Sequence, residues 1–241
     1  MWSYLLRPVR RAPGVPGSTL IKLTVCLSNI RLLPVSRRYD MSRRDLTAAS
    51  TWACIVDAAH RLLNQPDGTS LTLIEVAAAA GVSRATIYKS VGSRRALLAA
   101  VFEDQGRLIQ FDRVLAAAQL DDPAQAILTT VRESCRAWDV MPVAIRRTLA
   151  LAALDQEVRE LVQKYERYRR LEMTALVRRA HAAGRLTSGL EVETAAATLA
   201  LVTDFQAFDH LRLVHDTPTA TKYLVRLVVQ SLGIAGGQEP S

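Results

Sequence analysis

The stretch TLIEVAAAAGVSRATIYKSVGSRRALLAAV, from Thr72 to Val101, decides the fold of this chain. Thr72 with Glu75 three residues later is a capping-box pair, which predicts the start of a short helix. Gly81 predicts an immediate turn, because a left-handed backbone costs little only for glycine. Ser83 then predicts the cap of a second short helix. Two short helices that meet at a tight glycine turn are typical of a helix-turn-helix.

Small and apolar side chains recur at the positions that this motif requires. Ala77 permits the two helices to cross closely, and Ile87 anchors the second helix against the first. Val76 and Val82 complete a small core beneath the turn, and Ser93 predicts the cap of a third, longer helix. An ordinary alanine-rich helical hairpin is the alternative interpretation of the same spacing.

Local charge favours a binding surface over a plain hairpin. The segment from Ala79 to Arg95 carries four basic residues and no acidic one. A solvated helix face normally mixes both signs, and such one-sided charge repels itself unless a polyanion neutralises it. The segment therefore indicates a helix-turn-helix that binds nucleic acid.

The net charge of the whole chain is weaker evidence than this local cluster. The 241 residues carry a formal charge of +8, and the isoelectric point is near 9.9. Residues 1–40 hold seven Lys or Arg residues and one Asp, whereas residues 111–241 hold sixteen basic and sixteen acidic residues. The high isoelectric point thus describes mainly the N-terminal segment. Nearly half of the residues are apolar, which is typical of a globular protein.

Residues 1–40 have scattered prolines and no sustained hydrophobic period. We expect a disordered N-terminal extension, or upstream sequence that precedes a natural start at Met41. Two alternatives stay open. The segment is rich in arginine and poor in acids, as organellar transit peptides are, or it is a basic arm that touches the DNA backbone.

Beyond Asp121 the sequence predicts helices throughout, with no strand alternation and no low-complexity tract. Pro142, Gly184, Gly189 and Pro218 punctuate the helical segments. The predicted helices are Pro123–Asp139, Pro142–Leu154, Gln156–Ala183, Glu191–Val214 and Thr219–Leu232. The chain is therefore predicted to be all-α.

The segment from Ala48 to Ile109 resembles the DNA-binding domain of TetR-family transcriptional regulators. It has the family's AGVS turn, its T-[LI]-Y recognition helix and its S-[KR]-x-x-L entry to the next helix. Many members carry His, Phe and Glu where this chain has Ser90, Val91 and Arg95. The resemblance implies a three-helix helix-turn-helix domain at residues 45–110, joined to a larger helical effector-binding and dimerisation domain at residues 111–235.

The resemblance also implies that the helix Ser83–Ser90 lies in the major groove of double-stranded DNA. Arg84 is the best candidate for base readout, because its fork can bond guanine O6 and N7. Tyr88 resembles the family tyrosine that bonds a phosphate, and a half-buried packing ring is the alternative. Thr72 and Arg94, at two helix starts, are expected to hold the backbone. The predicted DNA-binding residues are Thr72, Ser83, Arg84, Ala85, Thr86, Tyr88, Lys89 and Arg94.

In the helical body we expect a pocket for an unknown small-molecule effector and a homodimer surface on the last two long helices. The predicted pocket residues are Trp138, Met141, Tyr165, Tyr168 and Met173. The predicted interface residues are Ala195, Ala196, Leu199, Val202, Tyr223, Leu224, Leu227 and Val228. For both sets the alternative is that the side chains only close the core of one chain.

No catalytic, metal or cofactor pattern occurs in the sequence. The four histidines lack metal-ligand spacing, and we find no nucleophile elbow, P-loop or dinucleotide-binding glycines. Three cysteines without a C-x-x-C pair fit a reducing compartment, and Cys54 and Cys135 are expected to be buried. No segment has the length and apolarity of a membrane span.

These patterns predict a cytoplasmic, ligand-responsive regulator, most simply a repressor that binds a palindromic operator as a homodimer. Two other functions stay open. One is a DNA-binding protein controlled by a protein partner or by its abundance. The other is an all-α small-molecule-binding or enzymatic body with a vestigial DNA-binding unit.

Overall fold

The computed structural model describes residues 43–65, 71–187 and 189–234. In these ranges the chain forms eleven helices and no strand, with a single antiparallel bridge between Leu186 and Ile234. The helices are α1 Arg43–Asn64, α2 Leu73–Ala79, α3 Arg84–Val91, α4 Arg94–Leu108, α5 Phe111–Ala117, α6 Pro123–Val140, α7 Pro142–Leu154, α8 Gln156–Ala182, α9 Val192–Val202, α10 Phe205–Arg212 and α11 Thr217–Leu232. The all-α prediction is confirmed. The prediction for residues 1–40 lies outside the described residues.

The chain divides into two units, Met1–Thr51 and Trp52–Ser241. In the described part of the first unit, residues 43–51 belong to α1. The second unit contains the rest of α1, the helix-turn-helix and the helical body, and all contacts reported below lie within it.

The start and stop signals of the helix-turn-helix are confirmed. Thr72 caps α2 and forms the capping box with Glu75, whose backbone N–H lies 3.2 Å from Thr72 Oγ1. Gly81 has φ +67°, the left-handed conformation that the turn requires. Ser83 caps α3 and Ser93 caps α4, each accepting a backbone N–H three residues later.

One apolar core holds α1 to α4 together and continues into the body. Val76, Ala77 and Ile87 are buried in it, as the motif spacing predicts. Leu151 of α7 and Val158 of α8 belong to the same cluster. The DNA-binding helices therefore pack on the body, and the proposed boundary between residues 110 and 111 separates elements that share one core.

The body is built around α8, which packs against α7 and α9, and around α6, which packs against α5 and α11. The predicted helix Pro142–Leu154 is confirmed. The predicted helix Glu191–Val214 is wrong, because the chain breaks at Thr203 and Asp204 into α9 and α10. Asp204 caps α10 by accepting the backbone N–H of Gln206, so it starts a new helix.

None of the described helices has both the length and the apolarity needed to cross a membrane.

Candidate nucleic-acid interface and effector cavity

Packing divides α3 into a buried face and an exposed face. Ile87 and Val91 are buried against the other helices of the motif, and Ile87 has no exposed surface. Arg84, Tyr88 and Lys89 are exposed, and Tyr88 keeps 47% of its surface accessible. The alternative that Tyr88 is a half-buried packing ring stays open, because about half of its surface is covered.

Three of the predicted DNA-contact residues have hydroxyls that form hydrogen bonds within the protein. Ser83 Oγ accepts the backbone N–H of Thr86 at 3.0 Å and lies 2.8 Å from Thr86 Oγ1. Thr72 Oγ1 donates to Glu75 Oε2 at 2.8 Å. These hydroxyls cap the starts of the two helices. Ala85 is exposed on the first turn of α3.

The basic side chains of the motif fall into two pairs. Arg84 and Lys89 on α3 have no ion pair with any carboxylate in the described residues. Arg94 and Arg95 on α4 are bound by acidic side chains of α8 and its cap. The positive charge available to a polyanion on this surface is therefore concentrated on α3.

Arg94 does not have the position that the sequence predicts for it. Its Nη2 lies 2.5 Å from Asp155 Oδ2, its Nη1 lies 2.6 Å from Glu157 Oε2, and its Nε donates to the carbonyl oxygen of Leu71 at 2.9 Å. All three nitrogens are occupied, so in this conformation Arg94 is not available to a phosphate. This corrects the prediction, and the reason is that Asp155 and Glu157 are distant in sequence but adjacent in the fold.

The charge of Asp155 is stabilised by the same contact. The hydrogen bonds from Arg94 lower the pKa of Asp155, and the backbone N–H of Val158 supports the same charge at the start of α8. Arg95 adds an exposed contact, with 3.0 Å between its Nη1 and Glu160 Oε2. Two arginines of α4 are thus held by the first turn of α8 and its capping residue.

A cavity lies within the body between α5, α6 and α8. The gaps between atoms there total about 410 Å³ when open solvent is included, and the enclosed part has room for about one water molecule. Four of the five predicted pocket residues line it, namely Trp138, Tyr165, Tyr168 and Met173. Met141 does not line it, because this residue caps the junction of α6 and α7 and is half-buried there.

Sequence analysis missed the charged residues of this cavity. Arg169 and Glu172 line it, together with Phe111, Ser134 and Thr203. A signal was present in the sequence, since Arg169 and Glu172 follow Tyr165 by four and seven residues and so share its helix face.

The predicted dimer surface is corrected for six of its eight residues. Tyr223 and Leu227 of α11 are exposed at 49% and 40%. The other six keep no more than 3% of their surface accessible within a single chain. These six are Ala195, Ala196, Leu199, Val202, Leu224 and Val228. They pack α9 and α11 into the core of the body, so they have no surface left for a partner.

Of the two cysteines in the described residues, one is buried and one is exposed. Cys135 is buried, and burial raises the pKa of its thiol to about 11. Cys54 is exposed, which corrects the prediction that both are buried. Among the described residues no group of three or more His, Cys, Asp or Glu side chains is placed to hold a metal ion.

Residues 55–101 match the family described as bacterial regulatory proteins, tetR family. An uncharacterised HTH-type transcriptional regulator of Mycobacterium tuberculosis is 37% identical over 82 residues, which are 34% of this chain and 41% of the relative. The HTH-type transcriptional regulator BetI of Rhizobium meliloti is 32% identical over 126 residues, which are 51% of this chain and 61% of the relative. The chain thus spans about two-fifths of the length of the Mycobacterium relative.

Among solved structures, the SmeT–triclosan complex has the same fold, with a TM-score of 0.61 and 19% identity over 80% of this chain and 99% of that chain. The predicted fold, an N-terminal helix-turn-helix joined to a helical body, is confirmed by this likeness. The resemblance stated from the sequence is confirmed by the family match. The relatives are named as transcriptional regulators, in agreement with the expectation that the chain is not an enzyme.

Proposed function

Because this chain carries the helix-turn-helix domain of the tetR family of bacterial regulatory proteins, we propose that it is a ligand-responsive repressor. It binds a palindromic operator as a homodimer, and an effector in the cavity of the body releases it. The observation that carries the proposal is that Arg84, Tyr88 and Lys89 of α3 are exposed, and that neither Arg84 nor Lys89 has an ion pair with a carboxylate in the described residues.

The geometry of α3 supports reading of DNA from its N-terminal half. Ile87 and Val91 anchor the helix from below, so that the opposite face enters the major groove. Arg84, in the first turn, is the base reader, and a bidentate contact to guanine contributes about 1–3 kcal/mol of discrimination. Tyr88 and Lys89 then lie beside the phosphates. The backbone N–H groups at the starts of α2 and α4 hold the DNA backbone in place.

Two copies are required because one short helix reads only a few base pairs. A dimer places two recognition helices on half-sites about 34–36 Å apart, one turn of the duplex. Tyr223 and Leu227 on α11 and Leu201 on α9, which is 69% exposed, supply apolar surface for a symmetric contact. Such a regulator acts on DNA in the cytoplasm.

Helix α8 supports the coupling between effector and DNA. Its middle lines the cavity with Tyr165, Tyr168 and Met173, while its capping residue and first turn hold Arg94. An effector acts only if it binds the released geometry more tightly than the DNA-bound one. SmeT, which shares the fold, is seen with triclosan, and this supports an effector of small-molecule size.

A mobility-shift experiment with the promoter adjacent to the gene tests the proposal. The double variant Arg84→Ala with Tyr88→Ala is expected to weaken binding to any palindrome in that promoter by about 1–3 kcal/mol or more and to reduce the salt dependence. Arg178→Ala is the matched control, since Arg178 is an exposed arginine on the body, 64% accessible. Unchanged operator affinity in the double variant would show that α3 does not read DNA.

A further inference from the structure

The junction between α4 and α5 is the one place in the described residues where a residue other than glycine has a left-handed backbone. Gln110 lies there, with φ 53° and ψ 51°. Helix α4 ends at Leu108 and α5 starts at Phe111, so the two helices are interrupted within two residues. The left-handed conformation is unfavourable for a residue with a Cβ atom, so contacts from the surrounding structure have to hold Gln110 in it.

Arg136 of α6 supplies these contacts. Its Nη2 donates to the carbonyl oxygen of Ile109 at 2.9 Å and to the carbonyl oxygen of Gln110 at 3.2 Å. In a continuous helix these two oxygens would instead accept backbone N–H groups from four residues later. Arg136 therefore competes with helix continuation for both oxygens and stabilises the interrupted form of the chain.

Glu133, one turn earlier on α6, holds the guanidinium of Arg136 in place. Nε of Arg136 donates to Glu133 Oε2 at 2.6 Å, and Nη2 of Arg113 on α5 donates to Glu133 Oε1 at 2.7 Å. Burial opposes the charge of Glu133, but the hydrogen bonds from Arg136 and Arg113 outweigh this effect and lower the pKa of the carboxyl group. The three charged side chains thus connect α5, α6 and the junction at Gln110.

The two sides of this junction belong to different parts of the protein. Leu97 and Val101 of α4 lie in the core that holds α1 to α4 together. On the other side α5 packs on α6 in the body, where Phe111 is buried and meets Tyr165 edge to face, with 5.4 Å between the ring centroids. The covalent connection from the recognition helix to the body therefore runs through Gln110.

We propose that Arg136 is a positioning residue for DNA binding, because it holds Gln110 left-handed and so fixes the angle between α4 and α5. This inference rests on the proposed function, in which two copies of α3 meet two half-sites at once. A loosened junction has to be ordered when the dimer binds DNA, and this ordering costs affinity. Arg136 makes no phosphate contact in this role, since Ile109, Gln110 and Glu133 engage its guanidinium.

Fluorescence anisotropy with a palindrome from the adjacent promoter, across a salt series, tests this role. Arg136→Gln is expected to weaken binding about three- to tenfold with an unchanged salt slope, since no phosphate contact is lost. Gln110→Val is expected to do the same, because a β-branched residue strongly disfavours a positive φ. Gln110→Gly is expected to retain the affinity and to restore it in the Arg136→Gln background, because glycine adopts this conformation at little cost. Arg132→Gln, an exposed arginine change on α6, is the matched control.

Urea unfolding tests the backbone conformation of Gln110 without DNA. Gln110→Gly is expected to raise the urea midpoint, because it relieves the left-handed conformation of a residue with a Cβ atom. Gln163→Gly is the matched control, since Gln163 is exposed in the interior of α8, where glycine is expected to lower the midpoint. If Gln110→Gly lowers the midpoint as Gln163→Gly does, Gln110 is not left-handed in solution and the inference is wrong.

The outcomes separate this inference from the proposed function. If the wild type binds the palindrome and both Arg136→Gln and Gln110→Val bind it equally well, the positioning role is overturned and the proposed function stands. A shallower salt slope in Arg136→Gln would make Arg136 a phosphate contact instead. Failure of Gln110→Gly to restore binding in the Arg136→Gln background also contradicts the inference. Gln110→Val keeps Arg136 and its partners, so it provides the test if Arg136→Gln does not fold. A wild-type protein that binds no palindrome contradicts the proposed function itself.

Discussion

Arg94 at the start of α4 is bound to Asp155, the residue that caps α8, with 2.5 Å between Nη2 and Oδ2. About a quarter of each side chain is accessible, so the pair is partly shielded from solvent. Arg94 lies three residues after the end of α3, in the region where the family resemblance implies a phosphate contact. Asp155 and Glu157 therefore neutralise a cation that the family resemblance assigns to a phosphate.

The first prediction concerns the release of this arginine. Asp155→Asn combined with Glu157→Gln is expected to raise affinity for duplex DNA about three- to tenfold and to steepen the salt dependence by roughly 0.9, the increment for one additional phosphate contact. Asparagine still caps α8, so the helix start is retained. Fluorescence anisotropy across a salt series measures both quantities. The same pair of changes in an Arg94→Ala background is the control, and an equal gain there would contradict the prediction.

The second prediction concerns the anchor beneath the recognition helix. Ile87→Ala removes a fully buried side chain from the shared core and is expected to cost about 2–5 kcal/mol in the free energy of unfolding. Ile74→Ala is the matched control, because Ile74 is 54% exposed on α2 and its truncation is expected to stay within about 0.5 kcal/mol. Urea unfolding followed by circular dichroism compares the two. Similar losses in both variants would show that Ile87 is not the anchor.

The third prediction concerns pH and rests on His60 of α1. Its Nε2 lies 2.8 Å from Asp104 Oδ2, and its buried Nδ1 has no hydrogen-bond partner in the described residues. Burial lowers the pKa of His60 from its usual 6.5, and protonation would bury an unpaired N–H. Below pH 6.5 the unfolded chain therefore binds more protons than the folded one, so stability is present above 6.5 and is lost as pH falls toward the folded pKa.

Urea unfolding at pH 7.5 and pH 5.5 measures this dependence. The contribution of His60 reaches at most about 1.4 kcal/mol per pH unit within that window. His60→Gln removes the titration but keeps a polar group against Asp104, so its unfolding free energy is expected to change less between the two pH values. Identical pH dependence in the variant and the wild type would exclude His60 as the titrating group.

The fourth prediction concerns the exposed apolar surface of α11. Leu227→Glu places a charge on the proposed dimer contact and is expected to give monomers in sedimentation velocity, with weaker operator binding as a consequence. Leu171→Glu is the matched control, because Leu171 is 68% exposed on α8 and lies outside that surface. If Leu227→Glu remains dimeric, the two copies meet elsewhere.

Local signals predicted the motif well. The capping box of Thr72 and Glu75, the glycine turn at Gly81 and the caps at Ser83 and Ser93 depend on residues within three or four positions of each other. These interactions are local, since a cap forms hydrogen bonds only with the first turn of its own helix. The break between α9 and α10 was missed although Asp204 also carries a local cap, because it accepts the backbone N–H of Gln206; its second contact, with Arg169, comes from another helix.

The site residues also divide into those that local sequence predicted and those that depend on distant contacts. Tyr88 and Lys89 are exposed on α3 because the helical period that buries Ile87 turns the two following residues away from the core, so the sequence alone predicted this part of the surface that we propose meets DNA. Whether a charge on that surface is available was decided only by the tertiary structure. Arg94 is paired with Asp155, sixty-one residues away, and Arg169 is paired with Asp204, thirty-five residues away. Helix starts and faces follow from neighbouring residues, whereas the pairing of buried and half-buried charges depends on which distant elements the fold brings together.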